Sequence, residues 1–518
     1  MKTHLVALSA GAILSGAAPL PAAQSGSADT CANLSEVRLS AGKITEVSTV
    51  PAGQFVPPGA TGNAARGFTV PAFCRVAAVL QPTGNSQIRM EAWLPKAGWN
   101  GKFLAVGNGG WAGSISYGGL AQGLNSGYAV VSTDGGHIGG NGSFSTDSDK
   151  LKDWGWRAVH ELAVNGKLFT AAYYGAAPRY SYFEGCSGGG RQAVMAAQRF
   201  PGDFDGIVAG APGIDWVRIG ALHVQALKAN TSAGERPVLS PAQITLVNSA
   251  VMAQCDRLDG LEDGEISRPR QCRPDLEALR CAPGKAPESC LGDAQIRLVQ
   301  SVYGGVKDGG KVLYPGFTPG SEAGWAGFIT QPQEVSLDTF RYLAGKGAGW
   351  DYRTFNAPAD IATAERTEAG DVAATNADLS AFQKAGGKII LYHGWSDPTI
   401  AAERTAQYYD AVAAAAGSMD KAREFSRLFM VPNMGHCNGG YAASWLTALE
   451  GWVEHRNAPE FIVAQRLAPA APAAGAGGPP AAPAVIGRRP LCAYPAVATY
   501  RGSGDINDPS SFACAAAP

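Results

Sequence analysis

Tyr182-Phe183-Glu184-Gly185-Cys186-Ser187-Gly188-Gly189-Gly190-Arg191-Gln192 is the stretch whose reading decides the fold. Its centre fits G-x-S-x-G, a sharp turn that lifts a serine out of the end of a strand and into the start of a helix. The flanks agree with that reading. Arg179 to Phe183 is apolar and aromatic enough for a strand, and Arg191 to Phe200 reads as a helix stopped by Pro201-Gly202. In a chain with 67 glycines the five-residue pattern alone says little, and the strand before and the helix after give it meaning. Such a turn holds Ser187 at strained backbone angles, while the flanking glycines let neighbouring backbone come close. The N–H of Gly188 then points to where an oxyanion would form.

Working outward, apolar strands alternate with helices on both sides of the turn. Lys43–Val50, Phe73–Leu80 and Gln87–Leu94 read as an antiparallel start. Lys102–Val106, Tyr128–Thr133, Phe204–Ala209, Gly387–Tyr392 and Phe425–Val431 read as buried strands. Asp153–Tyr174, Ile400–Ala416 and Ser444–His455 carry helical periodicity. This rhythm predicts an α/β-hydrolase core, residues 24–212 and 382–518. Between its halves, residues 213–381 mix short helical pieces with loops and aromatics such as Trp216, Trp325, Phe328, Phe340 and Trp350. They read as a large inserted lid domain. Leu467 to Val485 is nearly all Ala, Pro and Gly and reads as a flexible loop.

The chain has 518 residues, more than one core usually supports, which fits a core enlarged by an insertion. With 42 basic and 43 acidic residues the net charge is −1, so neither nucleic acid nor a membrane surface is expected as partner. Residues 1–23 read as a secretory signal: Lys2, an apolar run from Leu5 to Leu20, then Pro21-Ala22-Ala23. No later stretch is long and apolar enough to span a bilayer. Ten cysteines in an exported chain imply disulfides, whose pairing the residues themselves leave open.

A serine nucleophile needs a base, and the base needs an acid to orient it. In this fold the chain order is serine, acid, histidine, each beyond the end of a strand. Tyr392-His393-Gly394-Trp395-Ser396-Asp397-Pro398 leaves one strand and offers Asp397 as the acid. Val431-Pro432-Asn433-Met434-Gly435-His436-Cys437 leaves the next and offers His436 as the base. His393 sits at the strand end before the acid and is expected to be structural. The loop Gly107-Asn108-Gly109-Gly110-Trp111 lies where a second oxyanion donor, Gly109 or Gly110, is expected. Cys186 adjoins the nucleophile and Cys437 adjoins the base. If Ser187 meets His436 these cysteines are forced together, and in an oxidising compartment they should bridge.

A second constellation runs from Cys255 to Ile266. Asp256, Asp259 and Asp263 sit in a short glycine-punctuated loop, and hard oxygen ligands at such spacing suit Ca²⁺. The backbone carbonyls of Leu261 and Glu265 would complete the shell. The spacing is not that of an EF-hand, and Cys255 with Cys272 could staple the loop.

Assembled, these motifs resemble the tannase and feruloyl esterase family, which includes hydrolases of a terephthalate monoester. The resemblance rests on Gly185-Cys186-Ser187-x-Gly189-Gly190-Arg191-Gln192, Ser132-Thr133-Asp134-x-x-His137, the acid stretch around Asp397, Gly435-His436-Cys437 and the aspartate loop. It implies a Ser187–Asp397–His436 triad, structural calcium and a Cys186–Cys437 bridge. By order it also implies Cys31–Cys74, Cys255–Cys272, Cys281–Cys290 and Cys492–Cys514. It further implies a lid that holds an aromatic acid. Gly188 stands where members often carry a larger side chain. The expectation is therefore a secreted or periplasmic serine esterase, monomer or homodimer, acting on a small aromatic ester of hydroxycinnamic or gallic type. A terephthalate monoesterase, a non-catalytic binder of aromatic ligands and calcium-dependent adhesion are the alternatives.

Overall fold

The computed structural model describes residues 29–61, 65–231, 237–468 and 484–516. The expected signal, residues 1–23, and most of the Ala/Pro/Gly segment lie outside the described residues. A nine-stranded sheet carries the molecule. Its strands are β1 (Gly42–Val50), β2 (Phe73–Leu80), β3 (Ile88–Pro95), β4 (Lys102–Val106), β5 (Ala129–Thr133), β6 (Tyr180–Cys186), β7 (Gly206–Gly210), β8 (Lys388–Gly394) and β9 (Ser426–Val431). They lie side by side in the order β1-β2-β3-β5-β4-β6-β7-β8-β9. β1, β2, β3 and β5 pair antiparallel. From β5 across to β9 every pairing is parallel.

Parallel strands must be covered on both faces, and the side-chain alternation shows how. In β8, Ile389 and Leu391 enter the core on one face and Ile390 enters the other. Burying each such side chain contributes about 1.5–3 kcal/mol. The first face is covered by α2 (Ala158–Tyr174), α3 (Gly188–Arg199) and α6 (Ala402–Ala416), the second by α1 (Tyr117–Asn125) and α7 (Trp445–His455). α1 has no clear sequence signal, because three glycines depress its helix propensity. Packing explains two of them: a Cβ on Gly123 would stand 2.7 Å from Val130 Cγ2, and one on Gly119 would stand 3.1 Å from Val106 Cγ2.

The helix expected from Asp153 is regular only from Ala158. Asp153–Arg157 forms a wider π-turn. The buried Arg191 guanidinium takes the carbonyls of Trp154 (3.0 Å) and Gly155 (2.8 Å) and stacks 4.0 Å from the Trp154 ring centre. A turn whose carbonyls are drawn sideways cannot keep the tight helical ladder.

Between β7 and β8 the chain leaves the sheet and builds a mostly helical layer, beginning with α4 (Trp216–Thr231) and α5 (Pro241–Cys255). It has its own core, in which Trp325, Phe328, Phe340 and Phe355 are buried. Trp111, Trp154, Ile400 and Ala401 of the sheet layer enter the same core, so lid and sheet are packed together.

After α7, β10 (Phe461–Leu467) pairs with β11 (Val485–Cys492) as an antiparallel hairpin. Leu467 and Val485, expected at the ends of a loop, are themselves paired across it, because the alternating Phe461–Leu467 run supplies a strand. The tail closes as a second hairpin, β12 (Ala496–Tyr500) with β13 (Phe512–Ala516). Among the described residues no helix is long and apolar enough to cross a membrane.

Candidate active site

Ser187 follows β6 and caps α3 at φ 63° and ψ −120°, angles that L-residues rarely adopt. Its backbone is pinned on both sides. Its N–H donates to Gly210 O (2.9 Å), and its carbonyl accepts from Gly213 N (3.1 Å) and Arg191 N (3.0 Å). The strain is therefore over-determined by neighbours, as a presented nucleophile requires.

Asp397 lies beyond β8 and is 1% exposed. Its Oδ1 accepts the N–H groups of Thr399 (2.7 Å) and Ile400 (3.0 Å). Its Oδ2 accepts Nδ1–H of His436 at 2.8 Å and Nε2–H of His393 at 3.0 Å. The tautomers follow from the partners, since a carboxylate and a carbonyl only accept. His393 Nε2 also faces Ile400 O, so its Nδ1 accepts the Thr405 hydroxyl (2.7 Å). Burial opposes ionisation of Asp397, but the hydrogen bonds of the two imidazoles outweigh it and hold the carboxyl below the usual carboxylate range. His393 thus has a structural part in the site: it anchors the carboxylate that also orients His436.

His436 comes beyond β9. Its only side-chain hydrogen bond among the described residues is the one to Asp397, which leaves Nε2 without a partner, Ser187 included. A disulfide between Cys186 and Cys437, Cα to Cα 6.0 Å, ties the two neighbouring residues together. Cys437 is itself at φ 66°, and Ser187, next to Cys186, is at φ 63°. The other four bridges pair Cys31–Cys74, Cys255–Cys272, Cys281–Cys290 and Cys492–Cys514. Among the described residues no cysteine is free.

The glycine-rich loop after β4 lies against the first turn of α3. A Cβ on Gly188 would stand 3.1 Å from Gly110 N and 3.2 Å from Gly110 O. A larger residue at 188 would need the loop to give way, which accounts for glycine here. The loop is held by contacts that the sequence alone does not reveal. Gln192 Oε1 accepts Asn108 N–H (3.0 Å), and Asn108 Nδ2 donates to Thr133 O (2.8 Å). His137 Nε2–H donates to Trp111 O (2.7 Å), and Trp111 Nε1–H donates to Val335 O of the lid (2.8 Å). His223 of α4 adds a second link from the lid. Its Nε2–H donates to Thr399 O beside the acid (2.8 Å), and its Nδ1 accepts the Ser336 hydroxyl (2.7 Å). Burial pushes His223 down to about 4, so this latch is neutral at ordinary pH.

A serine on a strained turn, a buried carboxylate and an imidazole oriented by it, with a glycine-rich loop alongside, are the parts from which an acyl-transfer site is built. The family described as tannase and feruloyl esterase matches residues 74–515 of this chain. The chain belongs to that family.

As a tannase and feruloyl esterase family member it is a carboxylic ester hydrolase of α/β-hydrolase fold. Feruloyl esterase C of Talaromyces stipitatus is 37% identical over 85% of this chain and 85% of its own length. An uncharacterised esterase of Xanthomonas campestris pv. campestris is 36% identical, over 94% and 91% of the two chains. The crystal structure of feruloyl esterase B from Aspergillus oryzae matches with a TM-score of 0.86 at 32% identity, covering 94% of this chain and 99% of that one.

The aspartate loop of this family member follows α5 and is stapled by Cys255–Cys272. Asp256 accepts the N–H groups of Asp263 (3.2 Å), Gly264 (3.0 Å) and Glu265 (3.3 Å), and Asp259 accepts that of Leu261 (3.0 Å). The Glu265 carboxylate turns away to Arg466 (2.6 Å) and Tyr441 Oη (2.7 Å), so only its carbonyl is left for the loop. Asp263 Oδ2 is buried in an ion pair with the Arg489 guanidinium at 2.5 Å, and Asp263 Oδ1 accepts the N–H of Glu265 (3.2 Å). Among the described residues no three acidic, His or Cys side chains already form a metal-sized cluster. The donor set, three aspartates and loop carbonyls, is of the all-oxygen chemistry that a hard cation takes.

Proposed function

We propose that this chain is an exported serine esterase that cleaves esters of hydroxycinnamic or related hydroxylated aromatic acids through an acyl-enzyme. The observation that carries the reading is the Nδ1–H of His436 on buried Asp397, with His436 tied to the Ser187 turn by Cys186–Cys437. Asp397 fixes the tautomer that leaves His436 Nε2 able to accept the Ser187 proton. Catalytic pairs of this kind often tighten only when substrate is in place. Ser187 Oγ then attacks the ester carbonyl, and the oxyanion is held by the N–H of Gly188 and of Gly109 or Gly110. His436 returns the proton to the leaving alcohol, and water cleaves the acyl-enzyme in the same way.

The names of the relatives favour a feruloyl-type acyl group. Five disulfides favour an oxidising compartment, hence export. The test of substrate class is a panel of methyl ferulate, methyl gallate and the mono(hydroxyethyl) ester of terephthalate. The highest kcat/KM is expected on methyl ferulate. No turnover of either hydroxylated ester would reject the assignment.

Calcium belongs to the same reading. Asp256, Asp259 and Asp263, with the carbonyls of Leu261 and Glu265, would hold it, and its charge would offset the repulsion among the clustered carboxylates. A ligand at one hundred times its dissociation constant stabilises a fold by about 2.7 kcal/mol. Chelation is therefore expected to lower the unfolding temperature by several degrees, with recovery on adding calcium and no recovery in Asp263→Asn. An unfolding temperature indifferent to chelator would remove the metal from the account.

A further inference from the structure

A cavity of about 460 Å³ opens beside the acid loop, and neither Ser187 nor His436 lines it. Three segments far apart in the chain enclose it: residues 267–271 behind the aspartate loop, the ends of β8 and β9, and the tail around residues 490–498. Its volume lies within the range of about 300–1,000 Å³ typical of small-molecule sites. Trp395, Met430, Leu491, Tyr494 and Val497 make the wall mainly apolar and partly aromatic.

The polar side of the cavity is cationic. Arg268 and Arg270 both line it, and no aspartate or glutamate does. The Arg270 guanidinium bridges two rings, 5.6 Å from the centre of Trp395 and 5.5 Å from that of Tyr494. Glu403 holds it there through two hydrogen bonds (2.8 and 3.0 Å). Arg268 reaches Thr499 Oγ1 (3.2 Å) and Leu258 O (3.5 Å) with its terminal nitrogens, both neutral acceptors, and among the described residues it makes no ion pair. A half-buried cation with only neutral acceptors is left uncompensated unless an anion joins it, and no carboxylate lines the wall.

We infer that this cavity is a second binding site, one that takes an aromatic carboxylate with its ring on the apolar wall and its charge on Arg268. The site is argued from its own lining and stands apart from the role of Ser187. It also has a chemical logic, because hydrolysis of an aromatic-acid ester releases this class of molecule. Trp395 is two positions before Asp397, so an occupied cavity adjoins the acid loop.

The experiment is calorimetric titration of the full chain with 4-hydroxycinnamate, using neutral cinnamyl alcohol as the comparison. Two variants act on the cavity alone: Arg268→Met removes the unpaired charge and Val497→Trp fills the space. The acid is expected to bind at least tenfold more tightly than the alcohol. Arg268→Met should weaken the acid at least tenfold and Val497→Trp should abolish binding there. Ester turnover should stay within twofold in both, which also shows that they fold. Should Val497→Trp lose turnover, Arg268→Met decides alone. Acid affinity unchanged in the folded variants would place the acid in the catalytic cleft and overturn the proposal. So would an alcohol that binds as well as the acid. Failure of turnover in the unmodified chain would instead strike the esterase reading and leave this titration interpretable.

Discussion

Ser187→Ala is expected to lower kcat/KM on methyl ferulate by about 10⁴–10⁶-fold, the loss seen when an activated nucleophile is removed from a triad. The fold should not notice. The hydroxyl is not needed for the turn, which is held by backbone bonds to Gly210, Gly213 and Arg191. Ala at φ 63° carries the same strain as Ser, so the unfolding temperature should stay within a degree or two. Ser187→Gly sharpens the test, because glycine adopts such angles at little cost. It should be equally inactive and more stable, by about 1 kcal/mol. Steady-state kinetics with calorimetric melting reads both effects. Turnover surviving in either variant would show that another group attacks the ester.

Removing the link beneath the site is the second large effect. Cys186 and Cys437 are 251 residues apart, and the chain-entropy treatment assigns a cross-link of that span about 5 kcal/mol. The double variant Cys186→Ala/Cys437→Ala should therefore unfold at markedly lower denaturant. More specifically, kcat should fall even where the chain remains folded. The base would then be held only through its hydrogen bond to Asp397, on a loop freed from the nucleophile turn. Removing Cys281–Cys290 is the control. It spans only 9 residues in the lid, so its loss should cost less stability and leave kcat alone. Equal kcat losses in the two double variants would mean that the Cys186–Cys437 bridge stabilises the fold without positioning the base.

The sheet and the order of its functional loops were legible because both follow from short-range rules. Buried parallel strands need unbroken apolar runs, and β4 was read to the residue. A serine on a tight turn needs glycines around it, and those are visible as letters. Asp397 and His436 stood out as candidates because each lies just beyond a strand, and their side chains meet at 2.8 Å.

What lay beyond the sequence depended on side chains separated by long stretches of chain. Arg191 reads as the start of an ordinary helix, yet its guanidinium reaches back to carbonyls some 36 residues earlier and opens a π-turn. α1 hides behind glycines that serve close packing, and the lid aromatics are mostly the lid's own core. That His393 shares the acid with His436, and that Gln192 clamps the loop through Asn108, are matters of distance. The cavity at Arg268 is the extreme case, walled by three segments that meet only after folding. Local sterics and burial patterns are written residue by residue and can be read in order. Partner choice among distant polar groups is settled by which elements pack side by side, and only the tertiary structure decides that.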